Sequence, residues 1–454
     1  MYRSGSRMAH KSQSRRRPPV RPAPIDRIKE PVRRFLAIES ASGAVLIGCT
    51  LLAMAAANSG AAHAVHAFWE THVRVGVGEY VLDQPLHFWV NDALMTLFFF
   101  VVGLEIKREL VGGELSTPQK AALPVVAALG GMLAPAGLYL ALHVALGKSD
   151  AGARGWGIPM ATDIAFVVGV LAVFGPRVPF GLKIFLLSLA IADDIGAILV
   201  IAVAYSGSPD GLALLTAAAG FAAIFGMQRL GVRSVGLYVL AGAGIWLAVL
   251  KSGVHPTIAG VLLGLITPSS AWVARPTLTD TLTDTLARLS DAKVAHIDGD
   301  DVRRVAFAAR ESVSPLERLE RFLHPWIGFA VMPLFALANA AVEVRLEAVK
   351  DPIALAIAVA LIVGKPVGIV GFSYAAVRMG IAQLPTGVNW KMLAGAGCLG
   401  GIGFTMSLFI AGLALPFDLL DAGKIGILIG SAASACIGSL LLVFGLPKSV
   451  ANPT

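Results

Sequence analysis

Charge is what this sequence has least of. Only 15% of its residues are Asp, Glu, Lys or Arg, against about 25% in soluble domains, while 56% are hydrophobic and the mean hydropathy is +0.74. That balance excludes a soluble globular chain. Strict apolar/polar alternation is nearly absent as well, which excludes a transmembrane β-barrel built from short alternating strands. Cysteine is scarce: Cys49, Cys398 and Cys436 all lie in apolar runs, where they build neither a disulfide framework nor a metal-ligand spacing and read as small core residues. What remains is an all-α polytopic membrane protein, and not an enzyme by any motif the chain carries.

The net charge of +8 comes almost wholly from one end. Residues 1–34 hold eleven Lys/Arg against Asp26 and Glu30, with no aromatic residue beyond Tyr2. A basic tail without interleaved aromatics reads as a topogenic cytoplasmic signal and not as a nucleic-acid site. The run from Ile38 to Ala57 exceeds the roughly 7–15 residues of a signal-peptide core, so it reads as an uncleaved span. The membrane domain is expected over 35–450, with apolar stretches at 38–57, 86–106, 121–147, 156–175, 181–205, 211–228, 234–250, 254–267, 322–341, 352–375, 389–415 and 422–445. Most are near the roughly 20 residues that cross a bilayer, while the seventh and eighth are short. Lys and Arg fall mainly in alternate loops, which puts both termini in the cytoplasm. Two stretches lie outside the lipid. Residues 71–85 alternate around Val73, Val75 and Val77 and predict a hairpin on the outer face, marginal alone and suited to pairing with another chain. Residues 268–318 are polar and predict an inside loop, either with an amphipathic helix or poorly ordered.

The chemistry is expected where ionisable residues interrupt apolar runs. In Leu187–Ala202, LSLAIADDIGAILVIA, the adjacent Asp193 and Asp194 stand mid-span, each at a cost of about 2.5–3.5 kcal/mol on insertion scales. Asp163 follows Pro159 and Thr162 in a second run, Lys365 precedes Pro366 in a third, and Asp92 opens the stretch 86–106. Neighbouring carboxylates in low dielectric cannot both carry charge cheaply, and hard oxygen ligands suit Na⁺ or Li⁺. Such groups exchange a proton for a small cation. Consecutive helical positions lie about 100° apart, so one aspartate binds the ion while the other faces a partner such as Lys365. Pro159 breaks one span, and Gly400, Gly401 and Gly403 loosen another in the opposite half. Paired broken spans indicate an inverted-repeat transporter with its site near the midplane. An intramembrane aspartyl protease would need its two aspartates on different helices, and no GxGD stretch occurs. A cation channel would favour rings of one charge sign over a mixed Asp/Lys midplane.

At WVNDALMTLFFFVVGLEIKREL, GWGIPMATDIAFVVGVLA, LAIADDIGAILVIA, LKSGVHPTIAG, LHPWIGFAVMPLFALANA, GKPVGI and GGIGFTMSLFIA the chain resembles the NhaA-type sodium/proton antiporters, which are themselves a defining case of the broken-helix rule. The resemblance implies twelve helices, with the fourth and eleventh unwound and crossing near the ion site. It implies electrogenic, alkali-activated exchange of Na⁺ or Li⁺ for protons in a bacterial inner membrane, with no cofactor beyond these transported ions. By motif it assigns Asp193 and Asp194 to the cation and proton, Thr162 and Asp163 to the crossing, Lys365 to a position opposite the pair, and Asp92 to the inside funnel. Glu105, Arg108 and Glu109, at helical spacing, resemble a pH-response cluster together with Glu320 and His255. It also implies a homodimer formed through the outer hairpin. The chain departs from the family at Glu317 and Arg321, where the family commonly has a basic residue and a histidine.

Overall fold

The protein is described from a computed structural model covering residues 39–78, 80–146, 150–232, 234–290, 299–343 and 346–446. The basic tail 1–34 therefore lies outside the described residues, as do residues 291–298 within the long polar loop.

The apolar runs are helices. In chain order they are α1 Glu39–Ala57, α2 Ala62–Trp69, α3 Leu86–Gly112, α4 Pro118–Ala145, α5 Ile164–Phe174, α6 Phe180–Ala204, α7 Gly211–Arg229, α8 Val235–Lys251 and α9 Thr257–Ile266. The rest are α10 Arg275–Ser290, α11 Gly299–Glu311, α12 Pro315–Asn339, α13 Pro352–Arg378, α14 Trp390–Gly400, α15 Phe404–Ala414 and α16 Phe417–Gly445. Among the described residues, eight segments are long and apolar enough to cross a membrane, one of which, Arg154–Phe174, is interrupted at Ala161–Asp163 ahead of α5. Two further spans are bent pairs, α1–α2 at 116° and α14–α15 at 43°, and α8 and α9 are shorter apolar helices. The expected segments are thus present, with boundaries that differ where charge misled the reading. The second continues past residue 106 to Gly112 through the charged GLEIKREL end, and the ninth begins at Pro315, seven residues early. Helix α2 was not foreseen, because its eight residues follow the run that ends at Ala57.

Three spans contain a wide turn, at Trp89–Leu94, Ile327–Val331 and Ala360–Gly364. The last two precede Pro333 and Pro366. A proline has no N–H and its ring collides with the carbonyl four residues earlier, so the helix widens by one residue to pass it. Helices α4 and α13 then pack backbone to backbone: a Cβ on Gly368 would overlap the Gly130 carbonyl oxygen. Small residues bring membrane helices this close, where dispersion forces must replace the absent hydrophobic drive.

The stretch 71–85 is a hairpin, with strands β1 His72–Val77 and β2 Tyr80–Pro85 antiparallel in the register His72↔Pro85 through Val77↔Tyr80. Gly78 takes the positive φ (+63°) that the turn needs. The 268–318 stretch holds α10 and α11 and the start of α12, not an irregular insertion; Trp272 N–H and Val273 N–H donate to the Glu311 carbonyl, which ties its start to its end. Cys398 is buried as expected, whereas Cys436 is exposed, because it lies on an outward face of α16.

Candidate cation and proton site

The site begins with two breaks. Before α5 the chain runs as a 3₁₀ turn, Arg154–Met160, and then extends through Ala161–Asp163, since Pro159 and its neighbours leave the helical ladder incomplete. Between α14 and α15 the ladder stops at Gly401–Gly403. Gly400, expected in the unwound part, is the last residue of α14, and it is its carbonyl that is left free. At Gly401 a Cβ would meet the Leu361 carbonyl oxygen and the Ser434 hydroxyl, so only glycine lets the break sit so close to α13. The breaks touch: Asp163 N–H donates to the Ile402 carbonyl at 2.7 Å.

A crossing of broken helices exposes four sets of helix ends, each with unpaired polar groups and a partial charge. The two N-terminal ends share one carboxylate. Asp163 Oδ1 accepts from Phe166 N–H at 3.2 Å, and Oδ2 accepts from Thr405 N–H at 3.0 Å and from the Thr405 hydroxyl. The C-terminal ends meet donors instead. Lys365 Nζ donates to the Met160 carbonyl, and the Gly400 carbonyl oxygen lies 3.0 Å from the Thr162 hydroxyl, whose single hydrogen it shares with Asp193 Oδ2 at 2.6 Å. Negative charge thus stands at the positive ends and donors at the negative ends.

Helix α6 brings the aspartate pair to this crossing. Asp193 is 1% exposed, and its Oδ2 accepts from Lys365 Nζ at 2.6 Å and from Thr162 Oγ1 at 2.6 Å. Its Oδ1 has no hydrogen-bond partner among the described residues. Asp194 is also buried, but among the described residues no hydrogen bond or ion pair reaches its carboxylate; its charged neighbours are Asp193, Glu105, Asp163 and Lys365. The pair is therefore split as the helical 100° step requires, with Asp193 turned to the lysine and Asp194 turned away. No group of three or more His, Cys, Asp and Glu residues is arranged to hold a metal among the described residues. A cation here would also need hydroxyl and carbonyl oxygens, which the crossing supplies.

The other expected residues fall into two groups at opposite ends of α3. Arg108 is paired with Glu320 and lies 3.7 Å from Glu109, with Glu105 within electrostatic reach of all three. His255 Nε2 lies 3.7 Å from Asp92 Oδ1, and its Nδ1 is 2.7 Å from the Thr257 hydroxyl. This pairing was not foreseen, and it separates His255 from the Arg108 cluster. Asp92 sits at the hairpin end of α3, about 20 Å from Glu105 at 1.5 Å per residue. Asp92 and the hairpin therefore lie toward the same end of α3, and Glu105 toward the other.

Sequence reasoning also missed Thr405, Ser407 and Asn339. Ser407 donates to the Ile158 carbonyl at 2.7 Å, and Asn339 donates to Asn91 Oδ1 at 2.7 Å. The signal for the first two was present in GFTMS: hydroxyl residues just past a glycine break are placed to satisfy freed backbone groups.

Residues 33–442 match the family model described as Na⁺/H⁺ antiporter 1. The chain is 49% identical over 434 residues to the Na⁺/H⁺ antiporter NhaA of Rhodopirellula baltica, covering 94% of this chain and 96% of that one. It is 49% identical to Na⁺/H⁺ antiporter NhaA 2 of Vibrio vulnificus, over 92% and 93% of the two chains. It is also 48% identical to the Na⁺/H⁺ antiporter NhaA of Rhizobium meliloti, over 92% and 95%.

Proposed function

The chain belongs to the Na⁺/H⁺ antiporter 1 family, and from that premise we propose that it exchanges Na⁺ or Li⁺ for protons at the crossing of its broken spans. Asp194 and Asp193 carry the cation and the proton in alternation. The observation that carries this reading is the split state of the pair: Asp193 is held by Lys365 and Thr162, while Asp194 is buried with no donor among the described residues. A buried carboxylate must be neutralised, and a proton and a small cation are alternative ways to do so. Binding of one therefore displaces the other.

The same geometry supports an electrogenic cycle. A cation that engages both carboxylates removes the Lys365 counter-charge, so the lysine and the pair release protons together and more than one proton moves per cation. Thr162 and Asp163 hold the crossing in register. Opposite ends of α3 serve opposite mouths, with Asp92 and His255 at one and Glu105, Arg108, Glu109 and Glu320 at the other as a pH-response group. The membrane domain spans 35–450 of a bacterial inner membrane, with the tail 1–34, the 268–318 stretch and both termini cytoplasmic and the 71–85 hairpin outside. The hairpin joins two copies as a homodimer. Its strands are exposed at Val75 and Val81 and have an unpaired outer edge, which a second copy can extend.

Proteoliposomes with an acid interior and a pH-sensitive dye test the reading. Na⁺ dequenches the dye in the wild type, and Asp194→Asn abolishes the response while the protein still folds, because removing a buried charge lowers a desolvation cost. Normal exchange by Asp194→Asn would refute the site.

A further inference from the structure

The first half of the broken span that leads into α5 is weak structure on its own. Arg154–Met160 is a 3₁₀ run of seven residues that contains Gly155, Gly157 and Pro159. Such runs rarely exceed about four residues, glycine adds backbone freedom and proline removes a donor. Yet the end of this run has to be placed closely. The Met160 carbonyl accepts from Lys365, and the Thr162 hydroxyl lies 2.6 Å from Asp193 Oδ2. Support must come from outside the run.

Tyr205 supplies it. The residue is buried just past the end of α6, where its N–H still donates to the Ile201 carbonyl and continues the helix. Its ring stacks on that of Trp156 within the run, with centroids 6.3 Å apart and planes at 29°. Its hydroxyl donates to the Arg154 carbonyl at 2.7 Å and accepts from Gly157 N–H at 3.1 Å. Residues 154 and 157 are the partners of one i→i+3 rung, so the hydroxyl braces a whole turn of the run. A Cβ on Gly157 would come within 2.5 Å of that oxygen, so the bare backbone makes room for it. The tie is returned from the other side. The Arg154 guanidinium donates to the Ala204 carbonyl at 3.4 Å, at the negative C-terminal end of α6.

Helix α6 thus grips the run at both ends, through Asp193 at Thr162 and through Tyr205 at Arg154 and Gly157. The two grips are about 18 Å apart at 1.5 Å per residue. Between them the helix fixes where the Met160 carbonyl and the Thr162 hydroxyl stand. Oxygens already in place bind a cation without the cost of ordering them.

We propose that Tyr205 is a positioning residue for exchange, whose hydroxyl braces the run so that the Met160 carbonyl and the Thr162 hydroxyl are held at the aspartate pair. This rests on the cation binding at that pair.

Tyr205→Phe keeps the stacking and removes only the hydroxyl. In proteoliposomes the Na⁺ concentration for half-maximal dequenching should rise about 5-fold, as for the loss of one or two neutral hydrogen bonds, with the maximal rate unchanged. Amide exchange followed by mass spectrometry should quicken in peptides covering Arg154–Asp163. Arg154→Ala cuts the returning tie and should move both readouts the same way, to a smaller extent. Tyr238→Phe removes a comparable hydroxyl, which donates to the Val232 carbonyl at 3.0 Å near α8, and should leave both at wild type. Wild-type half-saturation in Tyr205→Phe, the same shift in Tyr238→Phe, or a shift without quicker exchange in the run would each overturn the proposal. Asp194→Asn measured alongside keeps the two readings apart: normal transport there refutes the ion site, while amide exchange still reports whether Tyr205 braces the run.

Discussion

Two aspartates in this molecule hold a cation at almost the same distance, one in the crossing and one in the hairpin. Asp193 Oδ2 is 2.6 Å from Lys365 Nζ, and both side chains are wholly buried. Asp83 Oδ2 is 2.7 Å from Arg74 Nε, with side-chain exposures of 35% and 76%, and Asp83 Oδ1 is 2.8 Å from His72 Nδ1. The geometry is alike, but the consequences are opposite. In the hairpin, water screens both charges and replaces whatever is removed. In the crossing each is the other's ion-pair partner and no water screens them, so loss of either leaves a buried charge held only by neutral hydrogen bonds. Burial, not distance, decides what these pairs do.

The comparison breaks first at Lys365. Lys365→Met strips the Asp193 and Met160 oxygens of their donor, and removal of one partner of a buried pair costs about 3–5 kcal/mol. Thermal unfolding in detergent should fall accordingly. The double variant Asp193→Asn/Lys365→Met should recover most of that loss without recovering exchange. A smaller effect is expected at Thr405, whose hydroxyl and N–H both serve Asp163. Thr405→Val keeps the N–H and removes the hydroxyl, so unfolding should show a loss of about 1–3 kcal/mol together with slower Na⁺-driven dequenching. Arg108 is intermediate in burial, with a side chain 39% exposed. Arg108→Gln should cost no more than about 1 kcal/mol but shift the pH at which dequenching begins.

The smallest effect belongs to the hairpin. Its Asp83 carboxyl is held below the ordinary carboxylate value of 3.8, chiefly by the His72 hydrogen bond, with Arg74 adding to it and desolvation opposing. A carboxyl whose folded value is depressed stabilises above its unfolded value and loses that stabilisation as pH falls through the folded one. Protection of the hairpin amides relative to the free chain should therefore be steady above about pH 4, where the free carboxyl is ionised, and fall below it. Asp83→Asn should flatten the profile.

The residues of the crossing were legible because apolar runs make any charge conspicuous. Asp163, Asp193, Asp194 and Lys365 stood out individually, and Pro159 and the glycines marked the breaks. Thr405 did not stand out, since a threonine in a membrane helix is common and its role depends on which helix end lies opposite. The Asp92–His255 pair was hidden for a similar reason: 163 positions separate the two, and each resembled a different cluster. Charged helix ends misled the boundaries at Gly112 and Pro315, because polarity marks where lipid ends and not where a helix does.

By itself the sequence determined that this chain is a bundle of membrane helices with two flawed spans and a pair of mid-membrane carboxylates. Hydropathy and local stereochemistry act within a few residues and are written there in full. Only the tertiary structure decided that Asp193 faces Lys365 while Asp194 has no donor among the described residues, and that one carboxylate, Asp163, serves the N-terminal ends of both broken helices. Those outcomes depend on how α5, α6, α13 and α15 approach one another. That approach rests on close packing at small residues such as Gly401, against the Leu361 carbonyl oxygen, and Gly403, near the Ala161 carbonyl oxygen, across distances in the sequence that no local pattern spans.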